Sequence, residues 1–268
     1  MHKTDFSKIA KEYENNSLVQ KSAAEILIQL LNIGDKDDIL DLGCGTGNIT
    51  KNLQNLTSGN VYGVDPSEGM VKEAQIKNEK SNIHFELKKA EKLDYINEFD
   101  VIFCNSVFQW FKNPETVING CYKALKKNGK IGIQSPATQI YSPNFIKGIE
   151  AVKKDSSLSK SFAHFKNPWF FLDTEKEYKS LFEQSGFEVP FVKLYPIKSL
   201  NTPDEAIRIF ESGAAIGYLN QNFYDISIDN TYTENFRKTM KNEFKKQSGT
   251  DGLIELIFNR IFLVGVKE

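Results

Sequence analysis

The sequence predicts an α/β fold, a mostly parallel sheet with helices on both faces and a helical cap. Three features predict it: short apolar runs of buried-strand length, helical patterns between them, and a glycine-rich turn where the first strand meets a helix. Ser17 to Leu31 places Leu18, Ala23, Leu27, Leu30 and Leu31 at near-helical spacing, and Asn32 to Asp38 interrupts the pattern. Buried strands are expected at Ile39 to Leu42, Val61 to Val64, Ile83 to Leu87, Val101 to Cys104 and Ile131 to Ile133. Helices are expected between them at Ile49 to Leu56, Glu68 to Lys77 and Pro114 to Leu125. Glu175 to Gln184 reads as a helix stopped by Ser185-Gly186, before a strand from Phe187 to Tyr195. Leu253 to Lys267 reads as the final strand.

Thr138 to Asp173 and Ser199 to Gly252 are too long for ordinary connections and contain helix-like pieces, Pro203 to Glu211 and Thr233 to Lys246. The expected organisation is therefore a ligand-binding core over residues 1–137, a cap insertion over 138–173, a return to the core over 174–198, a second cap insertion over 199–252, and a core strand over 253–268.

Composition narrows the function. The 268 residues, 40% apolar and 12% aromatic, suffice for a large core with an appended subdomain. Thirty-four Lys and Arg against 35 Asp and Glu leave a net charge of -1, so no global positive field favours nucleic acid or an anionic membrane. Charges at Lys3, Asp5, Lys8, Lys11 and Glu12 break up any secretory apolar segment, and no apolar run approaches the ~20 residues of a membrane span. Cys44, Cys104 and Cys121 are scattered and do not cluster with His2, His84 or His164, so neither a disulfide framework nor a metal site is expected. A cytoplasmic location is the expectation.

The chemistry begins at Asp41-Leu42-Gly43-Cys44-Gly45-Thr46-Gly47, where closely spaced glycines let the backbone approach a ligand. The G-x-G-x-G spacing differs from the usual dinucleotide fingerprint, and Asp41 is badly placed beside a pyrophosphate but suits a cationic ligand. Val61 to Asp65 is a strand ending in an acid, spaced to accept from two ribose hydroxyls. Asp65 is equally compatible with capping the helix that starts near Pro66 or Ser67.

In this order the features resemble the class I S-adenosylmethionine-dependent methyltransferases. Asp41 to Gly47 matches their first motif, Asp65 their ribose-binding acid, Phe99 to Asn105 their fourth strand, and Leu125 to Ile133, through Asn128-Gly129, their turn into the fifth. The resemblance spans the first half of the chain and implies a Rossmann-like, seven-stranded sheet with an antiparallel last strand. It implies S-adenosyl-L-methionine as cofactor, with the methionine moiety over Gly43, Gly45 and Gly47. The full cofactor set it implies is Asp41, Gly43, Cys44, Gly45, Gly47, Asp65, Pro66, Met70, Ala90, Glu91, Asn105 and Gln20. Many relatives place an aspartate before the alanine of the third loop to accept from the adenine amino group. Here Lys88-Lys89-Ala90-Glu91 leaves Glu91 or the backbone to do so.

Both ends narrow the likeness. Phe6-Ser7-Lys8-Ile9-Ala10, then Tyr13 and Leu18-Val19-Gln20, together with Asn105 to Trp110, resemble malonyl-carrier-protein and trans-aconitate O-methyltransferases. Asp251-Gly252 through Val264 is more similar to the trans-aconitate group. The resemblance implies a carboxylate acceptor on a small or carrier-tethered acid, methylated by in-line displacement. A carboxylate with a pKa near ~4 needs no general base, so no catalytic residue is expected. Tyr13, Gln109, Trp110, Arg208 and Arg260 are the expected substrate pocket, the arginines because their forked donors match carboxylates. A phenol, amine or carbon acceptor remains the alternative, with His164 the only histidine in a cap segment, as do a non-catalytic cofactor-binding module and an NAD-dependent oxidoreductase on the same sheet.

Overall fold

The computed structural model describes residues 23–268. They divide into two compact units: residues 23–138, 170–195 and 260–268 form one, and 139–169 and 196–259 the other. The expected boundaries differ by a few residues. Residues 170–173 belong with the first unit, where Phe170 N donates to Gln109 O and Leu172 O accepts from Thr138 N. Residues 196–198 and 253–259 belong with the second.

The first unit holds α1 (Ala23–Leu31), β1 (Ile39–Leu42), α2 (Asn48–Gln54), β2 (Val61–Asp65), α3 (Glu68–Lys77), β3 (Ile83–Leu87), β4 (Phe99–Asn105), α4 (Pro114–Ala124), β5 (Leu125–Pro136) and α7 (Glu175–Glu183). It also holds the first part of β6 (Phe187–Asn201) and the last part of β7 (Ile254–Lys267). The sheet has seven strands in the order β3-β2-β1-β4-β5-β7-β6. β1 to β5 pair in parallel, and β7 runs antiparallel to β5 from Lys130↔Val266 to Pro136↔Arg260.

Apolar residues alternate between the two faces because both are covered. Ile39, Val61, Val101 and Phe103 pack with Leu27, Leu31 and Leu53 of α1 and α2. Leu40, Leu42, Ile102, Cys104, Ile131 and Ile133 pack with Val117, Cys121, Tyr178 and Phe182 of α4 and α7. Gly132 lies on the α1 face, where an added methyl would fall 2.7 Å from Leu31, so this glycine sets how closely α1 approaches β5. Side chains fix the helix starts. Ser67 caps α3, and Thr174 with Glu177 forms a reciprocal capping box on α7. At the amino ends of β1 and β4, Lys126 bridges Asp38 at 2.6 Å and Asp100 at 2.7 Å, tying together the edge opposite the ligand loops.

The second unit holds α5 (Pro143–Lys154), α6 (Ser159–Phe162), α8 (Pro203–Ser212), α9 (Ala215–Tyr218) and α10 (Asn230–Gln247), with the remaining parts of β6 and β7. Its core is aromatic: Phe145, Phe162, Phe210, Tyr218, Phe236 and Phe244 are buried, and Phe210 stacks on both Tyr218 and Phe236. Gly148 of α5 faces Met240 of α10, where an added methyl would fall 2.6 Å from the Met240 sulfur. Thr202, Pro203 and Glu205 make a capped start for α8. Among the described residues no helix is long and apolar enough to cross a membrane.

β6 runs past the predicted Tyr195 to Asn201, since backbone pairing carries on where the apolar pattern gives way to Lys198 and Ser199, whereas β7 matches the expected Leu253 to Lys267 to within one residue. Tyr13 and Gln20, both expected site residues, lie outside the described residues.

Candidate active site

Chain order reverses between β1 and β4, and such sheets bind ligands outside the carboxyl ends of the strands at that point. The loop after β1 lies there. Gly43, Gly45 and Gly47 all have positive φ, at 82°, 54° and 76°. Their surroundings differ. A methyl group on Gly43 would collide with Val107, and one on Gly47 would come 2.8 Å from Phe85, so both positions are closed by protein. A methyl group on Gly45 would meet nothing within 4 Å. Among the described residues nothing covers Gly45, which presents bare backbone as close approach by a ligand requires.

Asp65, at the end of β2, stabilises this loop. Its Oδ2 accepts from Gly45 N at 3.1 Å and its Oδ1 from Ser67 N at 2.9 Å. Ser67, not Asp65, is the N-cap of α3. Each Asp65 oxygen keeps a further lone pair for a hydroxyl donor. Beyond it, Pro66, Leu87, Lys88, Lys89 and Lys92 line a cleft of about 420 Å³. Met70 and Leu87 are 42% and 53% exposed, unusual for large apolar side chains, and Ala90 is buried while Glu91 is exposed. Apolar flanks with an exposed acceptor nearby suit a purine. These residues fit S-adenosylmethionine: a glycine open among the described residues for the amino-acid end, a carboxylate for the ribose, and a cleft of Pro66 and Leu87 beside three lysines for the base.

Asp41 is buried, and its Oδ2 accepts from Thr50 Oγ1 at 2.6 Å. Burial, with the Asp65 charge adding to it, pushes the Asp41 carboxyl up to about 7 despite the bond from Thr50. An unfolded Asp titrates near ~3.9. The folded value is the higher one, so Asp41 contributes stability that is complete below about pH 4 and is lost as pH rises through 7. Asp41→Asn, which keeps an oxygen for Thr50, should therefore raise the melting temperature by roughly 5 °C at pH 8 and by little at pH 4.5. Parallel melting curves across that range would show that Asp41 is ionised throughout.

Beyond β4 the chain makes a strained turn. Ser106, an exposed residue, has φ 60°, and its polar groups are all held. Its N donates to Gln134 O at 2.7 Å, its O accepts from Gln109 Nε2 at 2.9 Å, and its Oγ lies 3.4 Å from Arg260 Nη1. Strain of this kind persists only where neighbours over-determine it, and it collects at functional sites. The next residue, Val107, packs against Gly43, so the turn abuts the glycine loop. Arg260 is half-buried, and desolvation lowers its guanidinium to about 10, which leaves it charged at neutral pH.

The other expected pocket residues are placed differently. Gln109 is buried, and its amide is used internally, donating to Ser106 O and accepting from Ser135 Oγ at 2.6 Å. It braces the turn. Trp110 is half-buried in the short 3-10 turn Phe108–Trp110. Arg208 is exposed on α8 in the second unit, near Asp204 and Glu205 of the same helix. His164, in the same unit, shares its Nδ1 with Asp225 Oδ1 at 2.7 Å. Cys44 is buried in the glycine loop, and burial pushes its thiol far above the ordinary range, so it is no nucleophile. Sequence reasoning missed Ser106 and Gln134.

A family model described as a methyltransferase domain matches residues 33–186. A malonyl-[acyl-carrier protein] O-methyltransferase of Acetivibrio thermocellus is 32% identical over 133 residues, 48% of this chain and 47% of that protein. The chain thus matches about half the length of that relative. An uncharacterized methyltransferase of Schizosaccharomyces pombe is 28% identical over 193 residues, 69% of this chain and 72% of that protein. Among solved structures, the YcgJ protein of Bacillus subtilis superposes with a TM-score of 0.61 at 15% identity, covering 92% of this chain and 98% of that one, a likeness of fold. With more than half its length matched by the family model, and with the strand order and glycine loop of the class I fold, the chain belongs to the methyltransferase domain family.

Proposed function

We propose that this methyltransferase, using S-adenosylmethionine, methylates a carboxylate oxygen of a small or carrier-tethered acid. One observation supports the acceptor class above others: the charged Arg260 guanidinium beside Ser106, on a turn that packs against the glycine loop. A guanidinium's forked donors match the two oxygens of a carboxylate. The names of the malonyl-[acyl-carrier protein] relatives support an acid on a carrier.

When bound, S-adenosylmethionine supplies a methyl group on a sulfonium, which an acceptor oxygen takes as the carbon–sulfur bond breaks and its electron pair returns to sulfur. The chain's own part is to bind and align. Asp65 accepts from the ribose hydroxyls, and Gly45 admits the amino-acid portion. Met70, Leu87 and Pro66 flank the base. Arg260 orients the acid, whose carboxylate is ionised well below neutral pH and asks no base of the protein. The three buried thiols suit a reducing compartment, the cytoplasm.

The test is a pH-rate profile with labelled methyl donor and the best acid from a screen. The rate should show no ionisation between pH 6 and 8 that belongs to a histidine, and His164→Ala should leave turnover within about twofold. A rate rising through pH ~6.5 that flattens in His164→Ala would point to a phenol or amine acceptor instead.

A further inference from the structure

We propose that Asp41 lets the site tell the cofactor from its own product, by carrying negative charge when the sulfonium is bound and giving it up when the neutral thioether is there. This rests on S-adenosylmethionine as cofactor and is independent of the acceptor. Asp41 lies in β1, two residues before Gly43, and is buried. Among the described residues its side chain accepts one hydrogen bond, from Thr50 Oγ1 of α2 at 2.6 Å. The titratable groups that face it are Asp65 from β2, Cys44 from the glycine loop and Cys104 from β4. Burial pushes both thiols far above their ordinary range, so they are neutral, and Asp65 adds a like charge. No cation among the described residues faces Asp41. Asp65 also accepts from Gly45 N at 3.1 Å, so the two acids and the open glycine share one corner of the site.

A carboxyl taken out of water with no opposite charge is held in its neutral form, the direction in which burial drives Asp41. A positive charge beside it reverses that balance. S-adenosylmethionine carries an ammonium, a carboxylate and a sulfonium, a net positive charge. The demethylated product keeps the first two and loses the third. The ligands therefore differ by the single charge that an ionised Asp41 would meet. Binding the cofactor releases the Asp41 proton to solvent, and loss of the sulfonium draws a proton back. An ionised Asp41 beside a thioether has no such partner, which favours cofactor over product as pH rises.

The test is calorimetry of wild type and Asp41→Asn with S-adenosylmethionine and S-adenosylhomocysteine, at pH 5.5 and 7.0, in buffers of low and high ionisation enthalpy. Asparagine keeps an oxygen for Thr50 and has no charge at either pH; its folding is checked by circular dichroism. Both pH values lie below the ~8 of an α-amino group, so the ligands keep their own charges. With Asp41 titrating at about 7 in the free protein, wild type should bind the cofactor roughly tenfold more tightly at pH 7.0 than at 5.5 and release a proton on binding at pH 5.5. The product should bind within about twofold at the two pH values and release none. Asp41→Asn should lose both effects, and its preference for cofactor over product at pH 7.0 should fall by roughly fivefold or more. A second readout needs no variant: the carbon-13 NMR signal of the Asp41 carboxyl in wild type should titrate well below its free value in the cofactor complex and close to it in the product complex. Equal proton release with both ligands, or release that persists in folded Asp41→Asn, would overturn the proposal. So would an Asp41 carboxyl that titrates alike in the two complexes. Failure of wild type to bind either ligand would overturn the cofactor assignment itself, and the proposal with it.

Discussion

Gly45→Val should abolish S-adenosylmethionine binding while leaving the chain folded. The two effects separate because Gly45 is the loop glycine whose added side chain meets no atom of the described residues within 4 Å. Its φ of 54° means that a β-branched residue strains the backbone, at a cost of about 1–2 kcal/mol, or a few degrees of melting temperature in a chain of this size. The isopropyl group projects into space that the ligand needs, and steric exclusion there has no compensating contact. Calorimetry should detect no binding at ligand concentrations a hundredfold above the wild-type dissociation constant. Gly43→Ala should behave in the opposite way, since its methyl group collides with Val107 and destabilises the fold directly. Retained affinity in a folded Gly45→Val protein would move the cofactor away from this loop.

Arg260→Met should raise the Michaelis constant for the acid by roughly ten- to a hundredfold and leave kcat within a fewfold. Methionine keeps the aliphatic packing of the stem and removes only the guanidinium. A hydrogen bond to a charged group is worth about 1.5–3 kcal/mol, which corresponds to that range of affinity. An anchor used equally in ground and transition states shows itself in the Michaelis constant. An equal fall in kcat and kcat/KM would instead assign Arg260 a role in the transition state. No change at all would remove it from the acceptor site. Arg208→Met is the control, because that side chain is exposed on α8 among its own helix's acids.

The core was readable from sequence because its physics is periodic. Val101 to Cys104 is buried on both faces and is an unbroken apolar run, and Ile39 to Leu42 is one broken only by Asp41. The glycine loop and Asp65 were equally legible, since positive φ and a strand-terminal acid leave direct marks in residue type. The far half of β6 was harder to delimit. Its pairing continues past Pro196 through residues whose side chains are polar or at least partly exposed, and backbone hydrogen bonds leave no pattern in composition.

The acceptor edge was only partly legible, and for a specific reason. Gln109 was expected in the pocket and Gln134 was passed over, yet both are buried braces whose amides are consumed internally. The available signal was position. Gln134 directly follows the expected buried strand Ile131 to Ile133, where a polar side chain must have partners if the strand runs on. The left-handed turn at Ser106 had no such signal, because serine rarely adopts that conformation and nothing in its type announces it.

The most direct test of the central claim is the alkali lability of the transferred methyl group. The protein is incubated with S-adenosylmethionine labelled in the methyl carbon and the panel of small and carrier-tethered acids, and the product is then treated with mild base. A carboxyl methyl ester releases its label as volatile methanol, whereas a methyl group on nitrogen, carbon or a phenol oxygen stays bound. Release of the label as methanol is the predicted result. Label that enters an acceptor but survives the base would contradict the carboxylate reading.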